Sequence, residues 1–365
     1  MRILHLSTWK TGGSAIAAKR LSDAINKLGG SSKVVSMSSR IPSYIDAVIG
    51  KLTHTSNPIF HSYNYYGENI TQKIADFKPD IIHVHWVGAG FVTPEHLANF
   101  NLPIVWTLHD LWPLCGAEHL PGSKRFQAGY LKQNRPTGES GLDLNRYLWD
   151  RKWKALRDAN ITYVAPSTYV YNMARRAKSL GNHKLVKIGN GVDISLFKPN
   201  AKVASKNPLV LYVAMNPELD PNKGYSDFKQ ALELLPESLR SKIIIKVIGG
   251  EIGSDVLMAK EYARATVTVV PSKIETLSYV AMESLSCGTP VVAYQVGGIP
   301  DLVQSNFNGY LAKPSNVKDL SRGIEKMLTS SSIIKQYRKN ARQKIISRYN
   351  ITNIAKEYLN LYRSI

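Results

Sequence analysis

The chain has 365 residues, 44% hydrophobic and 20% charged, which suits two globular domains with sizeable cores and excludes a peptide hormone or a small stapled scaffold. Its 47 Lys and Arg against 27 Asp and Glu give a net charge of +20, which favours an acidic partner: nucleic acid, a phosphorylated ligand or an anionic membrane. Two cysteines, Cys115 and Cys287, are too few and too far apart in sequence for a disulfide framework or a four-ligand zinc site, and they fit a reducing compartment.

The excess charge divides evenly between residues 1–180 and 181–365, so it belongs to the body of the protein. The opening MRILHLS is apolar only briefly before Gly12-Gly13, unlike a secretory signal, and no apolar run approaches the ~20 residues of a spanning helix. A cytoplasmic location is expected, with any membrane contact peripheral and from the inner face.

In chain order, strands are predicted at 2–7, 33–37, 80–85, 103–107, 161–165 and 185–188, then at 208–214, 243–248, 266–270, 290–294 and 309–312. Helical spacing occupies 13–28, 143–157, 168–178, 224–235, 275–287, 315–328, 331–348 and 350–363. This alternation predicts an α/β chain with doubly wound, Rossmann-like parallel sheets. The pattern breaks at Phe197-Lys198-Pro199-Asn200 and the polar stretch 201–208, which sets domains at 1–200 and 201–345. The terminal segment 346–365 is expected to form a helix packing back on the first domain. Two such domains are expected to face a central cleft, with ligands beyond the carboxyl ends of the strands.

The most informative stretch is PSKIETLSYVAMESLSCGTPVVAYQVGGIPD, residues 271–301. At about 3.6 residues per turn, the spacing of Glu275 and Glu283 predicts two carboxylates on one face of a helix, ready for a polyhydroxylated ligand. The helix start, around Thr276 and Leu277, would offer free N–H groups and a positive dipole end to a diphosphate. The Gly297-Gly298 turn would let backbone amides approach the same ligand.

This segment resembles the E-x7-E motif of the retaining nucleotide-sugar glycosyltransferases of family 4, which have the two-domain GT-B fold; the GGIPD loop is similar as well. The resemblance implies that Glu275 lies near the donor sugar and Glu283 binds the ribose. Thr11-Gly12-Gly13-Ser14 is similar to the family's amino-terminal glycine loop, which faces the donor phosphate and the acceptor. TLHDLWP, residues 107–113, resembles a T-x-H-D-x-W-P subgroup in which the His, here His109, approaches the transferred sugar; Asp110, Trp112 and His119 are acceptor-side candidates. Asn190-Gly191-Val192-Asp193 resembles the turn closing the first domain. In Asp220-Pro221-Asn222-Lys223-Gly224, Lys223 takes the place of a diphosphate contact, but Glu218 stands where many members have an Arg. The segment between strands 243–248 and 266–270 is short for the family.

The implied activity is transfer of a sugar from a UDP- or GDP-sugar to a hydroxyl, with retention, front-face departure and no protein nucleophile. The acceptor-side domain would be the first and the donor-binding domain the second. No D-x-D sequence is present, so no metal or other cofactor is expected. A lipid-linked glycan acceptor in bacterial surface polysaccharide synthesis, such as lipopolysaccharide, follows from the subgroup. The positive charge then suggests peripheral contact with an anionic membrane through Lys124, Arg125, Lys132, Arg135, Arg175, Arg176 and Lys178. Competing readings are a nucleotide-sugar epimerase, a sugar phosphorylase of the same architecture, and a basic nucleic-acid binder; the last lacks clustered aromatics or a recognition motif, so nucleic acid is not expected as a partner.

Overall fold

Short runs rich in Val, Ile and Leu, bounded by polar turns, build two parallel sheets in the computed structural model, which describes every residue except 56, 58, 59, 204, 206 and 251–253. The strands are β1 (Arg2–Ser7), β2 (Ser31–Val35), β3 (Ile81–Trp86), β4 (Ile104–Thr107), β5 (Ile161–Ala165) and β6 (Lys184–Lys187) in the first sheet. The second contains β7 (Leu209–Val213), β8 (Ile244–Ile248), β9 (Val267–Val270), β10 (Val291–Tyr294) and β11 (Gly309–Ala312). A two-residue antiparallel ribbon, Thr53–His54 with Ser140–Gly141, lies outside both sheets.

The chain divides into two units, Met1–Gly189 with Ile354–Ile365, and Asn190–Asn353. The polar stretch read as an interdomain joint lies inside the second unit, and its residues 204 and 206 fall outside the described residues. In the first unit the strand order is β2-β1-β3-β4-β5-β6, and in the second β8-β7-β9-β10-β11. Both orders start outward from the first strand and then reverse, so each sheet has a switch point between its first and third strands. The central strands are buried on both faces, β4, β5, β9 and β10 throughout, as continuous apolar runs in a helix-covered parallel sheet require.

The helices include α1 (Gly13–Lys27), α2 (Ile41–Gly50), α3 (Tyr279–Ser286) and α4 (Ile351–Arg363). Among them α2 has no counterpart in the sequence reading. The helix expected over 275–287 is shorter, because Ser278 caps it and accepts a hydrogen bond from the Ala281 amide at 3.3 Å. Between β8 and β9 the described residues hold one helix, Asp255–Arg264.

Candidate functional site

At the switch point of the second sheet, the loops leaving β7 and β9 meet. The loop after β7 closes in a turn, Pro221–Lys223, capped by Asp220, and Gly224 follows at φ 66°. A Cβ on Gly224 would stand 2.1 Å from the Pro271 carbonyl oxygen, so only glycine lets the two loops touch. The Lys273 amide donates to the Asn222 carbonyl at 2.8 Å, and Lys223 Nζ reaches Glu275 Oε2 at 3.2 Å. The Glu275 carboxylate raises the Lys223 ammonium above its ordinary value despite burial, so the ammonium is charged at neutral pH.

Glu275 lies in the loop, four residues ahead of α3, and Glu283 lies within the helix, 7% exposed. The expectation of two carboxylates on one helical face is therefore corrected: Ser278 starts the helix too late to include Glu275. Thr276 and Leu277 likewise precede the cap. Their amides donate to no acceptor among the described residues, while the Leu277 side chain is buried in the core. The Gly-Gly turn also serves a different end from the one expected. Gly297 has φ 50° and a Cβ there would fall 1.7 Å from the Glu275 carbonyl oxygen, which instead accepts the Gly298 amide at 3.0 Å. Gly298 thus spends its amide on holding Glu275 and has none for a ligand. Gly297→Ala is expected to displace the Glu275 loop and lower the thermal midpoint while the protein still folds; an unchanged midpoint would contradict this. Glu218 is exposed and supplies no cation at its position; Lys273, which the sequence reading passed over, stands beside this loop contact.

In the first unit, Gly12 has φ 90° and caps α1 without a side chain; a Cβ on Gly12 or Gly13 would meet nothing within 4 Å. These glycines leave open space at the carboxyl end of β1. Thr8 ties that end to β3, its amide and hydroxyl both bonding the Trp86 carbonyl.

His109 follows β4 and is part-buried, its ring stacked on His85 with centroids 5.2 Å apart and Nε2 3.0 Å from His85 Nδ1. Burial pulls His109 down to about 4, so it is a neutral imidazole at pH 7. Asp110 receives the Trp112 amide, the Trp86 indole N–H and His119 Nδ1. Burial alone would raise its carboxyl, but these partners outweigh burial and hold it below its ordinary value. His119 in turn pairs with Ser62 Oγ at 2.7 Å. Asp110, His119 and Ser62 have the order of a hydrolytic triad, yet Ser62 is fully buried and its Oγ also accepts the Ala89 amide at 2.8 Å. The set is a clamp on the loop.

Trp112 is 2% exposed, donates to the Ser62 carbonyl and carries Lys152 over its ring. As an acceptor-side candidate it is corrected: its ring belongs to the core. Asp110 and His119 hold the backbone behind His109. Three further histidines, His5, His83 and His85, are fully or nearly fully buried beside His109. The sequence carries their signal, since His83 and His85 alternate along β3 and so share one face.

Among the described residues, no helix is long and apolar enough to cross a membrane. Of the basic residues proposed for membrane contact, Lys124, Lys132, Arg175, Arg176 and Lys178 are exposed. Arg125 is not available: it is 4% exposed and bonded to Asp143 and Asn134. Arg135 is part-buried and donates to the carbonyls of Ser140 and Gly141.

Two family models match the chain: Glycosyltransferase Family 4 over residues 11–196, and Glycosyl transferases group 1 over residues 252–344. An uncharacterized glycosyltransferase of Methanocaldococcus jannaschii, MJ1607, is 24% identical over 99% of this chain and 97% of its own. Among solved structures, sucrose-phosphate synthase from Thermosynechococcus elongatus superposes with a TM-score of 0.70 at 21% identity, covering all of this chain and 98% of its own. HepE of Anabaena in complex with UDP-glucose gives 0.67 at 16% identity, with both chains fully covered. These likenesses establish the two-domain Rossmann-like fold of GT-B glycosyltransferases.

Proposed function

The chain belongs to glycosyltransferase family 4, and from that premise we propose that it transfers a sugar, with retention, from a nucleoside-diphosphate sugar to a hydroxyl of a lipid-linked glycan in bacterial surface polysaccharide synthesis. The observation carrying this reading is the meeting of Lys223 and Glu275 at the second sheet's switch point, beside two unpaired backbone amides. There an ammonium and N–H groups are available to a departing diphosphate, and a carboxylate to sugar hydroxyls. Glu283, on the helix behind, takes the ribose. The donor bound by the fold neighbour HepE, UDP-glucose, belongs to the same class. By the family resemblance, the open space at Gly12 and Gly13 admits the donor phosphate or the acceptor, and His109 approaches the transferred sugar. The cationic and backbone groups stabilise the leaving diphosphate without a divalent metal.

The test is a thermal-shift panel of UDP, GDP, ADP and their sugars on the wild type and on Glu283→Ala. A ligand at 100 times its Kd stabilises a fold by about 2.7 kcal/mol. Stabilisation by one nucleotide, weakened in the variant, supports the ribose role; no response to any nucleotide counts against the reading.

The membrane part of this proposal rests on α2. Its stripe Ile41, Tyr44, Ile45 and Val48 faces outward, with Ile41 67% and Tyr44 79% exposed. Its acid, Asp46, points inward and accepts the amides of Tyr63 and Asn64. Arg40 and Lys51 flank the exposed stripe, so an apolar surface edged by cations faces solvent, as an interfacial helix on anionic lipid does. Vesicles of phosphatidylcholine with phosphatidylglycerol should sediment the protein, phosphatidylcholine alone should do so poorly, and Tyr44→Glu should abolish the difference. Indifference to anionic lipid would count against it.

A further inference from the structure

Behind His109 runs a file of buried imidazoles. His5 Nδ1 lies 2.9 Å from His85 Nε2, and His85 Nδ1 lies 3.0 Å from His109 Nε2. His5 sits on β1 directly opposite His83 on β3, and His85 follows two residues on, so the three rings share one face of the sheet. His83 stands beside the file, its centroid 4.2 Å from that of His85, with both nitrogens engaged, by Tyr362 at 2.6 Å and Thr107 at 2.8 Å. Tyr358 of α4 bonds the same Thr107 hydroxyl.

We propose that His5 and His85 are positioning residues that hold His109 in the Nδ1–H tautomer, so that it presents a hydrogen-bond donor to the sugar. A file of three neutral imidazoles has two arrangements. In one, His5 Nδ1–H donates to His85 Nε2, His85 Nδ1–H donates to His109 Nε2, and the proton of His109 is on Nδ1. In the other every bond is reversed, and the His5 proton is on Nε2. That His5 Nε2 is buried and has no partner. A buried N–H without an acceptor is costlier than a buried lone pair without a donor, so the first arrangement holds. Burial keeps His5, His85 and His109 neutral at pH 7, so no extra proton disturbs the file. His109 Nδ1 has no partner among the described residues, which leaves its proton available.

The donor role rests on the placement of His109 at the sugar, whereas the tautomer does not. The first readout is therefore the imidazole ¹⁵N spectrum of the free, histidine-labelled protein at pH 7, with the His109 signals assigned by their loss in His109→Asn. Nδ1 should be of the protonated type and Nε2 of the unprotonated type; the reverse would overturn the relay and leave the transferase reading untouched. The second readout is a pair of substitutions of nearly equal shape. His85→Asn retains an amide donor where Nδ1 stood, and its turnover should stay within about threefold of wild type. His85→Asp offers only an acceptor, so it should reverse the His109 tautomer and lower kcat by about 10- to 100-fold, with the donor KM little changed. An undiminished kcat in a folded, tautomer-reversed His85→Asp protein would overturn the donor role and the placement of His109 at the sugar together. Movement of all the file's signals on adding Zn²⁺ at stoichiometric concentration would mean a metal site and overturn the relay, since His5, His83 and His85 bring ligand atoms within 4.8 Å of one another.

Discussion

Lys223→Met should lower kcat by roughly 10²–10³-fold, the loss found when one preorganised donor to developing negative charge is removed. The side chain is about one-third exposed and its ammonium is paired with Glu275, whose side chain is 14% exposed, so the substitution leaves that carboxylate unpaired but in reach of water. Folding should survive, and thermal melting without nucleotide should change far less than turnover. With the ammonium in its proposed role at the leaving group, kcat should fall more than the donor KM rises. The wild-type rate should also be unchanged in EDTA. Loss of turnover in EDTA restored by Mg²⁺ or Mn²⁺ would show that a metal carries the diphosphate charge, and a Lys223→Met protein with near wild-type kcat would remove Lys223 from the reaction.

A second large effect is expected from acid. His5, His83, His85 and His109 are all lowered by burial, His5 to about 3 and His109 to about 4. In the unfolded chain each returns to about 6.5. Between those limits the unfolded state binds protons that the native state refuses, so stability falls as pH drops below about 6.5. Asp46 acts in the opposite sense: burial raises it to about 6, against the pull of the Tyr63 and Asn64 amides, so near pH 5 the native state holds a proton that the unfolded chain lacks. The four histidines outnumber this one opposing carboxyl, so the net effect is a loss of stability as pH falls from 7 to 5. Urea titrations of the first unit's transition at pH 7, 6 and 5 should show it, and a midpoint constant over this range would refute the neutral histidine cluster.

The fold was largely legible because its strands are β-branched runs bounded by turns. LVLYV at Leu209–Val213 and VVAY at Val291–Tyr294 admit few other readings in an alternating chain. Helix α2 carries the ordinary amphipathic spacing at Ile41, Tyr44, Ile45 and Val48; what the sequence does not contain is that this stripe faces solvent while Asp46 faces the core. The helix after β9 starts four residues later than its periodicity predicts: the apolar pattern continues through Leu277, whereas the start is set by one hydroxyl, that of Ser278. The carboxyl ends of β7 and β9 pointed to Lys223 and Glu275, but adjacency of the two strands belongs to topology, which a linear pattern does not contain. Gly297 looked like a ligand-facing turn, and only three-dimensional proximity reveals the Glu275 carbonyl beneath it.

The first unit is made from two distant pieces of chain, because Tyr358 and Tyr362 of α4 hydrogen-bond Thr107 and His83 on its sheet. Order of synthesis then matters. After residue 189 has been made, another 165 residues must be added before residue 354 appears; at about 5–20 residues per second this takes roughly 8–33 s. Throughout that interval the histidine face of the sheet lacks its tyrosine cover and is open to water and to other nascent chains. The first unit is therefore the last to be completed on the ribosome, and a fragment ending at residue 189 should behave as an unfinished domain.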